Sequence, residues 1–175
     1  RTREWLEKAV IGLNLCPFAK AVVVKQQVRY VVSDATDEEQ LLADLLQELE
    51  WLYDAAPAQV ETTLIIRPHV LVDFLDYPDF LDVADAAVSE LNLDGEIQVA
   101  SFHPDYQFAD TQYDDIDNFS NRSPYPTLHL LRESSVEKAV AAFPDAANIY
   151  ARNIEILRQL GHPGWKALWT DPASE

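Results

Sequence analysis

The apolar positions of this chain fall into runs whose spacing alternates between helical and extended periods. Trp5, Leu6, Ala9, Val10 and Leu13 share one face of an amphipathic helix predicted over Thr2 to Leu13, which stops near Asn14, ahead of Pro17. Ala21 to Val32 is rich in β-branched residues and tyrosine, and its alternation predicts a strand kinked near Lys25-Gln26. Thr36-Asp-Glu-Glu39 has the form of a capping box that opens a helix to about Ala55. Its stripe is Leu42, Leu45, Leu46, Leu49 and Leu52, with Asp37, Glu38, Asp44 and Glu48 on the wet side.

Thr62 to Arg67 reads as a short strand ended by Pro68. Asp76-Tyr77-Pro78 reads as the entry to a helix that keeps its period to the stop at Asn92–Gly95. Glu96 to Phe102 and Thr127 to Arg132 are the third and fourth strands. Ser134-Ser-Val-Glu137 offers a second capping box, for a helix ending by Pro144. A last helix fills Ala146 to Leu160, with Gly161 as its terminator. His162 to Glu175, with Trp165 and Trp169 four apart, is expected to be a docking turn followed by a frayed end. The order predicts a single domain over residues 1–175, of α/β or α+β class, with one mixed sheet of about four strands and helices packed on it. Because no helix separates the third and fourth strands, at least one pair should be antiparallel.

Composition narrows the function classes. Hydrophobic residues make up 48% of the 175, which excludes wholesale disorder. Thirty acidic against 13 basic residues give a formal charge of −17, a field that repels phosphate backbones and anionic membranes. Cys16 is the single cysteine, so no internal disulfide can form, and no apolar run approaches a membrane span. A cytoplasmic protein is expected. The chain has no Gly-rich phosphate loop, no dinucleotide fingerprint, no Gly-x-Ser-x-Gly elbow and no His-Glu-x-x-His.

The strongest local signal is the aperiodic stretch His103 to Pro126. Structureless loops of this length are uncommon in compact domains, and Tyr106, Phe108, Tyr113, Phe119 and Tyr125 favour docking it on the body of the protein. It starts where a strand ends, a common place for ligand sites. His103 closes the third strand and His129 lies in the fourth, so paired strands could bring the imidazoles together. Leu13-Asn-Leu-Cys-Pro-Phe-Ala-Lys20 is the second signal: Cys16 either caps a helical turn as a thiolate helped by Lys20, or is a buried structural thiol. Only Arg67 and Arg122 are basic between Arg29 and Arg132, and each is either an ion-pair partner or the holder of a bound anion.

The expected site is a pocket with Cys16, His103 and His129 as catalytic candidates. Asn14, Lys20, Tyr106, Asn121, Arg122 and Tyr125 would be its ligand contacts, with Arg122 holding a small anionic ligand. No cofactor is specified and no metal motif is matched. A divalent-metal site at His103, Asp105 and His129 is a third reading. The rival is an acidic protein-interaction module without catalysis, and the oligomeric state is left open.

The segments Leu13-Asn-Leu-Cys-Pro-Phe18, Ser101-Phe-His-Pro-Asp-Tyr-Gln-Phe108 and Asn121-Arg-Ser-Pro-Tyr-Pro-Thr-Leu-His-Leu-Leu-Arg-Glu133 are similar to those of a family of uncharacterised bacterial proteins of about this length, a domain of unknown function. The resemblance runs through nearly the whole chain and implies a small cytoplasmic protein of bacterial type.

Overall fold

The computed structural model describes residues 1–170. The first helix, α1 (Thr2–Trp5), passes directly into a π-helical stretch (Leu6–Ile11), and α2 (Ala19–Val24) follows the Cys16-Pro17 turn. The sheet strands are β1 (Val28–Val32), β2 (Thr62–Ile66), β3 (Ile97–Phe102) and β4 (Thr127–Arg132). Helix α3 (Glu38–Asp54) joins β1 to β2, and α4 (Tyr77–Glu90) joins β2 to β3. After β4 come α5 (Glu133–Ala142) and α6 (Ile149–Ala167). The strand order is β1-β2-β4-β3, with β1 and β2 parallel and the other two pairs antiparallel. This is the mixed four-stranded α+β sheet that the element order predicts.

The period of two along each strand sorts the side chains into two layers. Ile65, Val99, Leu128 and Leu130 point to the side where α3 and α4 lay down Leu41, Leu45, Leu49, Tyr77, Phe80 and Ala84. Tyr30 and Phe102 belong to the opposite side and pack with Trp5, Leu6, Ala9 and Val10, joined by Trp165 of α6. The Trp5 ring meets Phe102 edge-on at 5.1 Å.

Three helical segments end in the same way. Asn14, Gln26 and Asn92 adopt positive φ (53°, 57° and 56°), and the next amide reaches back five residues: Leu15 to Val10, Gln27 to Val22 and Leu93 to Val88, at 2.9 Å each. This left-handed terminator is usually a glycine. In a chain with four glycines, asparagine and glutamine take the position.

Local corrections have physical causes. Ala21–Val24 is helix, not strand, because Ala19 and Val23, four apart, pack on the Trp5 cluster and outweigh the β preference of valine. The cap of α3 is Asp37, one residue later than expected. Its carboxylate accepts from Gln40 N–H at 2.9 Å, and the Gln40 side chain accepts from Thr36 N–H at 3.1 Å. Glu48 is buried rather than wet, since it holds the Arg29 guanidinium at both Nε (2.7 Å) and Nη2 (3.1 Å). Helix α5 begins straight off β4 at Glu133, so the Ser134 capping box is not used. Gly161, at φ 65° and ψ 173°, interrupts α6 as expected, but helix resumes to Ala167 and Trp165 docks. Of the docking turn and frayed end expected over His162 to Glu175, residues 171–175 lie outside the described residues. No helix among the described residues is long and apolar enough to cross a membrane.

Candidate functional site

The end of β2 carries Arg67, which continues the parity of Thr63 and Ile65 and so enters the layer under α4. It is wholly buried. Its amide donates to Pro126 O at 3.0 Å, which ties the strand end to the loop before β4. The guanidinium lies 4.1 Å over the Tyr77 ring, and Nη1 donates to Val70 O at 3.3 Å. Nε and Nη2 are buried without a hydrogen-bond partner, and no carboxylate lies within ion-pairing distance among the described residues. Burial pushes the pKa down to about 10, so the group remains a cation at neutral pH.

The same edge of the guanidinium fork is filled elsewhere in this molecule. Glu48 takes Nε and Nη2 of Arg29, and Asp117 takes Nε and Nη2 of Arg158 at 2.9 and 2.7 Å. Two parallel N–H donors in this arrangement match two oxygens of a carboxylate, phosphate or sulfate. Arg67 therefore differs from a structural ion-pair partner, the first of its two readings from sequence.

Around Arg67 stand Tyr77, His103, Phe74 and Tyr106. Tyr77 donates its hydroxyl to Thr127 O at 2.7 Å, and burial raises its pKa. His103 is fully buried, with its ring 5.3 Å from both Phe74 and Tyr77. Its Nδ1 accepts from Asp105 N–H at 3.0 Å, so Nε2 carries the proton donated to Leu71 O at 3.1 Å. Burial, the largest influence, lowers its pKa and keeps the ring neutral. Both nitrogens are occupied, which suits a hydrogen-bond donor better than a proton carrier. Tyr106 meets Phe74 at 5.2 Å and the edge of Phe108 at 4.9 Å, and the His103 backbone N–H donates to Asn121 O at 3.2 Å.

The cover over Arg67 is the segment Pro68–Asp76. Val70 and Leu71 face inward, whereas Val72 and Leu75 are 59% and 82% exposed. Leu71 sits at φ 52°, a left-handed conformation that costs a branched residue about 1–3 kcal/mol. The Val70 and Leu71 carbonyls accept from Arg67 and His103, so two donors that face the site also hold the cover down.

Not all the residues expected from sequence meet here. His103, Tyr106 and Asn121 do. His129 does not: it lies two residues beyond Thr127, the partner of Phe102, and so on the same face, whereas His103 follows Phe102 and turns to the other face. The sheet thus separates the two imidazoles, and their expected approach through strand pairing is corrected. It also separates the proposed metal ligands, and among the described residues no three such side chains converge. His129 donates Nε2–H to Thr62 Oγ1 (2.7 Å), whose own proton goes to Leu130 O (2.6 Å). Cys16 is partly buried against the Trp5 cluster, on the His129 side of the sheet.

Arg122 is a loop staple. It donates to Tyr106 O (3.1 Å) and Tyr113 O (2.5 Å) and lies between the rings of Tyr113 and Phe119. Asn14 terminates the first helix and its carbonyl accepts from Arg152 at 2.8 Å, Lys20 is exposed on α2, and the Tyr125 carbonyl accepts from Ser123 and Thr127. The sequence gives no sign of Tyr77 at this place, and it offers Arg67 as a possible anion holder without joining it to the expected pocket. The signal for Arg67 was present: an isolated arginine at a strand end, before proline, in an acidic stretch.

Burial holds the pKa of His129 down at about 4, against 6.5 for a free imidazole. The unfolded chain takes up this proton below 6.5 while the folded one refuses it until about 4. Acidification across that window therefore costs stability, up to about 1.4 kcal/mol per pH unit, and raising the pH restores it. The slope of Tm against pH should flatten in His129→Gln relative to the wild type. Identical slopes would mean that folding leaves the titration of this imidazole unchanged.

A mixed four-stranded sheet with helices packed on it makes this an α+β protein, and the buried guanidinium at a strand end, without a carboxylate among the described residues, is its candidate site. Over residues 1–167 the chain matches the family described as "Protein of unknown function (DUF1415)", and it belongs to that family. Nothing among curated proteins or solved structures matches it.

Proposed function

We propose that this protein is a cytoplasmic binder of, or enzyme for, a small molecule bearing a carboxylate, phosphate or sulfate group, with Arg67 as the residue that holds the anion. The observation that carries this reading is the pair of buried, unpartnered nitrogens Nε and Nη2 on Arg67. Burying an unpaired charge is costly, and an oxyanion supplies both the opposite charge and two acceptors in the geometry of the fork. The −17 net charge repels anions at a distance, so affinity has to come from this local arrangement.

Entry requires the Pro68–Asp76 cover to move. Displacing it frees Arg67 Nη1 from Val70 O and His103 Nε2–H from Leu71 O together, and the anion takes both donors in place of the carbonyls. Relief of the Leu71 conformation lowers the cost of that exchange. Neutral His103 serves as a donor, and the exposed Val72 and Leu75 supply apolar surface that can close over the bound molecule.

The test is a thermal-shift series with phosphate, sulfate and short mono- and dicarboxylates. At least one should raise the Tm saturably in the wild type, and the shift should vanish in Arg67→Lys, which keeps the charge but loses the fork. Equal shifts in both proteins would refute the assignment, as would no shift with any of the anions.

A further inference from the structure

The opposite side of β1 presents a second feature, independent of Arg67. β1 is an edge strand, paired only with β2 among the described residues. Ser33 N–H donates to Ile66 O at 2.7 Å, so in the parallel ladder Val31 and Ser33 turn their amides to β2. The backbone groups of Tyr30 and Val32 then point away from the sheet, and no turn or side chain among the described residues takes them up. Proteins usually blunt such an edge with lysine, proline or a covering element. Here the strand is Val28-Arg-Tyr-Val-Val32, and the outermost valine is 63% exposed.

Beside this edge runs an open groove of about 480 Å³. Its strand wall includes Ser33 and Asp34, and its helix wall is the Gln40, Ala43, Asp44 and Gln47 face of α3. The spacing of three and four residues aligns that face along the strand. Ala43 leaves room beside the edge, and Ser33 Oγ fixes the Asp44 carboxylate at 2.5 Å. An edge strand flanked by a parallel-running helix wall is a geometry that receives an extended segment as an added strand.

Charge selects the occupant. Helix α3 carries Glu38, Glu39, Asp44, Glu48, Glu50 and Asp54 and no basic residue, and the groove is lined by no lysine or arginine. The one neighbouring cation, Arg29, is neutralised by Glu48. A second copy of this chain would bring another −17 and a second acidic α3 to the same edge, so charge disfavours self-pairing.

We infer that the β1 edge and the α3 face form a docking groove for an extended basic segment of a partner protein, which adds as a fifth strand through the backbone of Tyr30 and Val32. Its alternate side chains toward α3 are lysine or arginine, meeting Asp34 and Asp44, and those between are apolar and cover Val32.

The probe is a fluorescent peptide of alternating lysine and valine, with a glutamate–valine peptide as control, titrated into the wild type, Val32→Pro and Asp34→Asn/Asp44→Asn. Val32→Pro removes an outward amide that β2 does not use, and the double variant keeps the Ser33 acceptor. The basic peptide should bind, at least tenfold more weakly to either variant and more weakly in added salt, and the acidic one should not. If Val32→Pro does not fold, the double variant decides alone. Failure of the basic peptide to bind, undiminished binding by the variants, or equal binding of both peptides overturns the inference. So does a wild-type dimer in light scattering that Val32→Pro dissolves, since the edge would then be a self-association site. None of these outcomes depends on the oxyanion titrations.

Discussion

Replacing Arg67 by methionine should raise the stability of the ligand-free protein by about 1–3 kcal/mol while abolishing its response to oxyanions. The depression of the Arg67 pKa to about 10 from 12.5 measures how much its surroundings disfavour the charge, on the order of 3 kcal/mol. Methionine removes that charge, retains much of the volume and can still pack on the Tyr77 ring. The hydrogen bond to Val70 O is lost, at about 1 kcal/mol, and so is the cation–π contact, which partly offset the gain. Under the proposed function Arg67 lowers the stability of its own fold in exchange for binding, a familiar trade. Urea denaturation of the two proteins checks the sign. A loss of several kcal/mol would mark Arg67 as structural.

The second large effect is expected at Asn118, which organises the long loop. It is fully buried and all its side-chain capacity is engaged: Oδ1 accepts from Phe108 N–H (2.9 Å) and Thr111 Oγ1 (2.9 Å), and Nδ2 donates to Gln112 O (2.8 Å) and Tyr113 O (3.4 Å). Asn118→Ala leaves the Phe108 N–H and the Gln112 carbonyl without their partners and should cost about 3 kcal/mol. Next to it, Asp117 binds Arg158 of α6 through two bonds, so loosening the loop also releases the helix that carries Trp165. The expected readout is a lowered Tm with lost amide-exchange protection over residues 105–122. Protection equal to the wild type would show that the aromatic contacts alone hold the loop.

The architecture was legible because four strands and most of the helices carry clean periods, and because adjacent β3 and β4 imply an antiparallel pair. The errors cluster where tertiary packing outweighs local preference. Val22-Val23-Val24 reads as strand until the Trp5 cluster is there to receive Val23. Glu48 reads as solvated until Arg29, 19 residues away, is placed opposite it. The site was half legible. Tyr106, Asn121 and His103, which the fold brings to one side of the sheet, stand out in sequence because an aperiodic polar stretch after a strand is unusual. Arg122 drew attention as a rare cation, yet its donors go to carbonyls of its own loop, a use that composition cannot signal. His129 was misplaced by the parity of one residue, which depends on register. Arg67 reads from sequence as either an ion-pair partner or the holder of an anion, and among the described residues the fold supplies no carboxylate for the first.

The most direct test follows the Nε–H resonance of Arg67 by ¹H–¹⁵N NMR, assigned through Arg67→Lys, during titration with the anion that gives the largest thermal shift. The account predicts a saturable downfield displacement of that resonance, accompanied by changes at the amides of Val70 and Leu71 as the cover yields. A resonance that stays fixed while the protein is stabilised would place the anion elsewhere and contradict the assignment.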